Sequence, residues 1–166
     1  MKKTWVEKMQ DKPGYPKILV LEEKFPCYKA VHKMGANIGD KIVITQASEV
    51  IPLMVSVPEG KLLTLREICI ALAKKHNVQG CCTLTTGIFT MTLANAVEEV
   101  KTIGEDSQIS AIPWWRTLKI DGFLNDKYPG GQEAQKILLE NEGFTFKPSG
   151  KKFQVIDFEK HLIDSF

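Results

Sequence analysis

The most reactive side chains in the sequence are four cysteine thiols, at Cys27, Cys69, Cys81 and Cys82. Zinc sites usually take cysteines that are about two to four residues apart, and the adjacent pair Cys81 and Cys82 does not offer that spacing. This pair does precede a predicted helix, where a thiol can have a lowered pKa. The cysteines therefore indicate either buried, reduced thiols or a thiol-dependent activity, and we expect no metal or other cofactor.

Residues 112–116 place two indoles and a guanidinium directly after a proline, in the order Pro113, Trp114, Trp115 and Arg116. An indole offers a flat face on which another ring can stack. Tryptophan is also largely buried in most proteins, so the same pair is compatible with a packed aromatic cluster that closes a pocket. Arg116 can bind a phosphate or stabilise the loop, and the sequence does not choose between these roles.

Two helices with a short break between them position these residues. Thr64 is a good N-cap with Glu67 three residues later, which predicts a capping box and a helix to about residue 75. A second helix is predicted over residues 86–101, and the pair is typical of a helix-turn-helix. Small polar residues early in the second helix suit close approach to DNA, although a plain helical hairpin has the same pattern.

Weaker patterns predict the other elements. Residues 18–21 and 41–45 are predicted strands, and residues 144–147 and 153–156 are a predicted terminal hairpin. Residues 47–57 and 132–141 are predicted helices, the second of them ended by Gly143. Residues 117–124 are predicted to form a small hairpin or a loop around the turn at Asp121 and Gly122.

The charge and hydropathy of the chain limit its class. The formal net charge is only +2, although residues 1–33 carry eight lysines against four acids. A charge run of this size is usually a solvated face. No apolar run approaches the roughly 20 residues that span a bilayer, and the N-terminus lacks the pattern of a secretion signal. We therefore expect a cytoplasmic protein with no membrane partner.

Four short motifs, in order and at near-family spacing, resemble the O6-alkylguanine-DNA alkyltransferases. Residues 57–61, Val-Pro-Glu-Gly-Lys, are similar to that family's entry to the helix-turn-helix, and residues 112–116, Ile-Pro-Trp-Trp-Arg, to its Ile-Pro-Cys-His-Arg signature. Residues 128–131, Tyr-Pro-Gly-Gly, come twelve residues after Arg116 and resemble its Tyr-Ser/Ala-Gly-Gly loop. Glu142 and Gly143 resemble the end of its next helix. The resemblance covers about residues 55–145.

The departures from the family pattern indicate a protein without alkyl transfer. Trp114 stands at the position of the acceptor cysteine and Trp115 at that of the histidine, so only Glu142 remains of the relay that forms the thiolate. The alkyltransferase-like proteins also carry tryptophan or alanine at the cysteine position, bind alkylated guanine, flip it out and flag it for nucleotide excision repair. Leu65 replaces the tyrosine that turns the target phosphate. Asn95 aligns with the arginine that fills the gap left by the flipped base.

The sequence thus predicts an α/β winged-helix fold with a helix-turn-helix. Residues 1–50 are an extension packed on the core, and residues 51–166 are the DNA-binding domain. The predicted function is non-enzymatic recognition of O6-alkylguanine-type lesions in double-stranded DNA by a monomer, with excision-repair proteins as further partners. The alternatives are a general winged-helix DNA-binding or regulatory module with a closed pocket, and an alkyltransferase that uses another cysteine. The resemblance implies a lesion pocket of Pro113, Trp114, Trp115, Tyr128, Gly130 and Gly131. It implies DNA-binding residues Leu65, Thr86, Thr90, Asn95, Arg116, Lys119 and Lys127, with Glu142 as a vestige of the relay.

Overall fold

A computed structural model describes residues 1–105, 107–164 and 166. Its α-helices are α1 (Trp5–Lys8), α2 (Tyr28–Lys33), α3 (Ala47–Val55), α4 (Leu65–Lys75), α5 (Thr83–Thr102) and α6 (Gly131–Glu140). Its strands are β1 (Lys17–Val20), β2 (Lys41–Ile44), β3 (Leu63–Thr64), β4 (Gly80–Cys81), β5 (Thr117–Leu118), β6 (Phe146–Ser149) and β7 (Lys152–Val155). Short 3-10 turns cover Gln108–Ala111, Trp114–Arg116 and Phe158–His161.

Helix α4 begins where the capping pattern predicts. The Thr64 side chain accepts a hydrogen bond from the backbone N–H of Arg66, and the Glu67 carboxylate accepts one from the N–H of Thr64 at 3.0 Å. These bonds satisfy N–H groups that have no partner inside the helix. The apolar stripe of α4, which includes Ile68 and Leu72, is fully buried. The capping box predicted from the sequence is confirmed.

Helix α5 begins at Thr83, three residues before the predicted start. The Cys82 side chain is its N-cap and accepts from the N–H of Thr85 at 3.5 Å, a role that cysteine rarely fills and that the sequence therefore did not signal. The turn from α4 contains Asn77 with a positive φ of 53°. Helix α5 then runs for 20 residues and packs against α1, α3 and α4.

The first third of the chain joins the helix-turn-helix through a three-stranded sheet in the order β1-β2-β4. Strand β1 is antiparallel to β2, and β4, in the turn between α4 and α5, is parallel to β2. Close packing explains the glycine at position 80 in β4, because an added Cβ would lie 2.8 Å from Cγ1 of Val31. Helices α1 and α2 were not predicted. The boundary at residue 50 stays a prediction, and α3 runs across it.

The C-terminal third supplies the hairpin of the winged-helix arrangement. Strands β6 and β7 pair antiparallel, as predicted. Residues 117–124 form the predicted loop around the turn at Asp121 and Gly122, which closes between residues 119 and 123. The alternative of a hairpin is wrong, because β5 pairs parallel with β3. A buried apolar cluster joins the hairpin to β5 and α6, and it consists of Leu62, Leu118, Leu124, Leu139, Phe144 and Val155. The predicted mixed α/β, winged-helix class is confirmed.

Within the described ranges, every helix is too short or too polar to cross a lipid bilayer.

Candidate nucleic-acid interface

Trp114 lies in the protein core. Its side chain is 1% exposed, and its indole N–H donates a hydrogen bond to Oε1 of Glu98 at 3.0 Å. The ring meets Trp115 and Tyr128 edge-on, with centroid distances of 6.0 and 5.4 Å. Such T-shaped pairs are a favoured packing of aromatic rings. Trp114 is therefore a structural side chain of the core in this conformation.

The Tyr128 side chain is also closed against solvent, whereas Lys127 and Gly130 of the same loop are exposed. Tyr128 is 4% exposed and its hydroxyl donates to the carbonyl of Thr117 at 3.0 Å, and burial raises the pKa of this phenol. Gly130 and Gly131 both have a positive φ, which the turn into α6 requires. Pro113 is buried as well. Capture of a base between Trp114 and this loop stays a prediction, and it requires the core to open.

Trp115, Arg116 and Glu142 form one partly buried polar network. The Glu142 carboxylate accepts hydrogen bonds from the indole N–H of Trp115 at 2.7 Å, from Nε of Arg116 at 2.9 Å and from the N–H of Gly60 at 3.1 Å. Burial alone would raise the pKa of Glu142, but these donors and the Arg116 charge lower it below 4.5. Arg116 also donates to the carbonyl of Val57 at 2.8 Å. The sequence left two roles open for Arg116, and this geometry is that of a side chain that stabilises the loop.

The four cysteines lie in one region but offer no accessible nucleophile. Each is at most 5% exposed, and burial, followed by the hydrogen bond with Cys82, raises the pKa of Cys27 to about 12. The hydrogen bond between Cys69 and Cys81 lowers the pKa of Cys81, whose thiol is 1% exposed and also contacts the Thr86 hydroxyl at 3.4 Å. Within the described part of the chain, no three or more His, Cys, Asp or Glu side chains are grouped to hold a metal. This geometry does not favour alkyl transfer to a cysteine.

Two of the predicted DNA contacts on α5 are corrected by the structure. Thr86 and Thr90 are 0% and 1% exposed. Their hydroxyls donate to helix carbonyls, that of Thr86 to Cys82 at 2.8 Å and that of Thr90 to Gly87 at 3.0 Å. Threonine often satisfies its hydroxyl in this way inside a helix. These side chains face the interior and are not available to DNA.

The exposed face of α5 is instead an apolar ridge, which we define as Leu84, Ile88 and Met91. Leu84 and Ile88 are 51% and 49% exposed. The three residues are four and three apart, which puts them on one side of the helix. Asn95, four residues further, continues this face, and its amide donates to the carbonyls of Met91 and Lys127. The ridge was not predicted, because α5 carries apolar residues on several faces and their spacing does not show which face is exposed.

An open cavity of about 550 Å³ lies along the ridge, and we call it the lysine groove. Residues from α2 and the segment before it, from α4 and α5, and from the loop after β5 line it. They include Ala30, Leu65, Leu84, Gly87, Lys119, Asp121, Asn125 and Lys127, so that one acid lies beside the two lysines. Lys127 is exposed, and Lys119 forms only a 3.6 Å ion pair with the exposed Asp126. Of the predicted DNA-binding residues, Leu65, Lys119 and Lys127 line this groove, and Asn95 adjoins it through its bond to the Lys127 carbonyl. Arg116 belongs to the partly buried network instead.

Comparisons with known proteins give a distant structural likeness. No protein-family model and no curated protein sequence matches the chain. Two solved structures align with 71% of this chain and 94% of theirs, at a TM-score of 0.48. They are S. pombe Atl1 in complex with damaged DNA containing O6-carboxymethylguanine, at 18% identity, and S. pombe ATL in complex with DNA, at 17%. A structural likeness at this identity and TM-score assigns neither a family nor a function to the chain.

Proposed function

We propose that this protein binds duplex DNA by placing the apolar ridge of α5 in the minor groove, with Lys119 and Lys127 on the phosphates. The observation that carries this proposal is the exposed ridge beside two lysines in an open groove. Minor-groove proteins frequently insert apolar side chains between base steps and use lysines along the backbone. Ile88, in the middle of the ridge, is the expected wedge.

Gly87 supports a close approach of α5 to a ligand. Glycine inside a helix costs about 0.5–1 kcal/mol relative to alanine. Packing does not require it, because an added Cβ would meet only Cδ1 of Leu65, at the ordinary contact distance of 3.6 Å. The absent side chain next to Ile88 lets the helix backbone approach a nucleic-acid backbone closely. A minor groove about 6 Å wide favours such a thin helix face.

The closed aromatic cluster makes a general DNA-binding module the better-supported form of this proposal. To admit a base between Trp114 and Tyr128, the protein must break the bonds to Glu98 and to the carbonyl of Thr117. It must also expose the Trp114 ring, which at about 25 cal/mol per Å² costs on the order of 4–6 kcal/mol for roughly 150–250 Å². Extrusion of the base itself costs a few kcal/mol more.

Recognition of O6-alkylguanine by base flipping, followed by recruitment of excision-repair proteins, is the second candidate function. The lysine groove favours it, because its volume of about 550 Å³ is in the usual range of ligand pockets. It lies directly beside the ridge that would fill the gap in the duplex. In this form of the proposal, the extruded purine enters between Leu65 and Asn125 and the Trp114 cluster stays closed.

Fluorescence anisotropy tests both candidates with matched duplexes, one of which carries a single O6-methylguanine, across a salt series. We expect Ile88→Ala to weaken binding about ten-fold or more, as the loss of one desolvated contact does at an interface. Ile70→Ala is the matched control, because Ile70 is also 49% exposed but lies on α4. Lys127→Ala is expected to lower the salt slope by about 1, and the control Lys74→Ala to leave it unchanged.

Each outcome has a distinct meaning. Equal, salt-dependent binding to both duplexes supports the general module, and a preference for the modified duplex that Leu65→Ala or Asn125→Ala removes supports lesion recognition. A mass increase of about 14 Da after incubation, roughly one methylene, would support transfer to a cysteine instead. If neither duplex binds, or if Ile70→Ala weakens binding as much as Ile88→Ala, the proposed interface is wrong.

A further inference from the structure

A second cavity, of about 440 Å³, lies on the other side of the α5 ridge. Its walls come from the N-terminal segment, the end of β2 and α5, and we call it the aromatic groove: Trp5, Lys8, Lys12, Tyr15, Gln46 and Phe89. Ile88 and Met91 line both this cavity and the lysine groove, so the ridge separates the two. None of the six residues has a part in the proposed DNA contacts.

Three aromatic rings give the cavity flat walls. Trp5 and Phe89 are partly buried and Tyr15 is exposed. The backbone that carries the Trp5 ring is anchored to α5, because Glu99 accepts hydrogen bonds from the backbone N–H groups of Trp5 at 3.2 Å and Val6 at 2.9 Å. An anchored backbone lowers the conformational freedom that is lost when a second ring stacks on the indole. This wall is suited to a planar, unsaturated ligand.

Gln46 brings a polar group that the protein leaves unused. Its Oε1 atom is buried and has no hydrogen-bond partner among residues 1–105, 107–164 and 166. Buried polar atoms are nearly always paired, so an unpaired one calls for a specific explanation. The neighbouring Thr45 hydroxyl is already bonded to Glu49 at 3.1 Å. The partly buried Gln46 amide can turn towards a ligand in the groove and offer a donor and an acceptor together, as glutamine does to an adenine edge.

The charge of the cavity completes its specificity. Lys8 and Lys12 line the cavity. Among the residues that the structure describes, no Asp or Glu lines it. Nζ of Lys8 lies 4.1 Å from the centroid of the Trp5 ring. This ammonium covers one face of the indole in a cation–π contact and leaves the other face for a second ring, so that a flat surface and a positive charge lie side by side.

We propose that the aromatic groove binds a nucleobase that carries a phosphate, with the base between Trp5 and Phe89, its polar edge on Gln46 and the phosphate at Lys8 and Lys12. This chemistry has two possible sources, a free mononucleotide and a nucleotide extruded from DNA bound at the ridge. The second source rests on the proposed DNA binding and the first does not.

Titration with deoxyadenosine 5′-monophosphate, followed by calorimetry, tests the site directly. Deoxyribose 5-phosphate is the control ligand without a base. We expect the nucleotide to bind, the sugar phosphate to bind about ten-fold more weakly or worse, and Trp5→Leu to remove the difference, because stacking carries the affinity.

Gln46→Met separates a ligand role from a structural one. The substitution removes an unpaired buried acceptor, so the melting temperature should stay the same or rise, while nucleotide affinity falls about ten-fold. Gln79→Met is the control, because the Gln79 amide already accepts from the N–H of Lys41 at 3.0 Å, outside the groove. Nucleotide affinity that is unchanged in both Trp5→Leu and Gln46→Met would overturn the proposal.

Duplexes that contain 2-aminopurine distinguish the two sources. If the base comes from DNA, the wild-type protein changes the 2-aminopurine fluorescence, and Trp5→Leu and Gln46→Met reduce that change while Gln79→Met does not. If the source is a free mononucleotide, those variants lose mononucleotide affinity only. Duplex binding with no nucleotide effect in either assay refutes the aromatic groove alone. Mononucleotide binding without duplex binding refutes the proposed function alone.

Discussion

Substitution of Glu142 by glutamine is expected to destabilise the fold strongly. The carboxylate accepts from Trp115, Arg116 and Gly60, and Nη2 of Arg116 lies 2.8 Å from its Oε1. The two charged side chains are only 7% and 15% exposed. An amide has one acceptor oxygen for these donors and leaves the Arg116 charge without a counter-charge. Breaking a buried pair in this way costs about 3–5 kcal/mol.

Urea unfolding at neutral pH measures this loss as a change in midpoint at constant slope. Asp126→Asn is the matched control, since it removes the carboxylate of an exposed pair, 65% exposed and 3.6 Å from Lys119, and should cost about 0–1 kcal/mol. Replacement of both partners, by Arg116→Met with Glu142→Leu, should cost less than Glu142→Gln alone, because it leaves no buried charge unpaired.

The pH dependence of stability is a second test of the network of Trp115, Arg116 and Glu142. The folded pKa of Glu142 is below 4.5, so its stabilising contribution is present above the unfolded value and is lost as pH falls through the folded pKa. Glu142→Gln should therefore flatten the acid limb of the stability profile. A loss of stability below about 1 kcal/mol in Glu142→Gln, which is the scale of an exposed ion pair, would refute the stabilising role of the Arg116–Glu142 pair. So would a loss of DNA affinity at unchanged stability, which would place Arg116 on a phosphate.

Three further outcomes follow from the buried groups. Trp114→Ala should cost about 3–5 kcal/mol in urea unfolding, because it leaves a cavity in the core, and a much smaller loss would contradict the burial. Burial raises the pKa of Glu49, but hydrogen bonds and charges from Lys75 and His76 lower it below its usual value. The contribution of Glu49 to stability is therefore lost as pH falls through this lowered pKa. Melting curves in acid should thus be less pH-sensitive for Glu49→Gln than for the wild type. Cys27, with a pKa of about 12, should stay unmodified by a thiol reagent at neutral pH until urea exposes all four thiols; rapid reaction of the native protein would contradict this.

The amino-acid sequence by itself determined the local parts of this protein. The capping box of Thr64 and Glu67, the stop at Gly143 and the β6–β7 hairpin depend on neighbours in the chain, so short-range patterns specified them. The motifs around Trp114 and Tyr128 likewise placed two of the residues that meet in space.

Only the tertiary structure decided which side of each helix or strand is exposed to solvent. Helix α5 carries apolar residues on several faces, so its periodicity did not show that Thr86 and Thr90 point inwards and Ile88 outwards. The same holds for Arg116, whose partner Glu142 is 26 residues away, and for Trp5, which Glu99 holds from 94 residues away. A charged or polar group takes the partner that folding brings near it, because burial makes an unpaired group costly, and that partner is set by the packing of distant segments rather than by adjacent sequence.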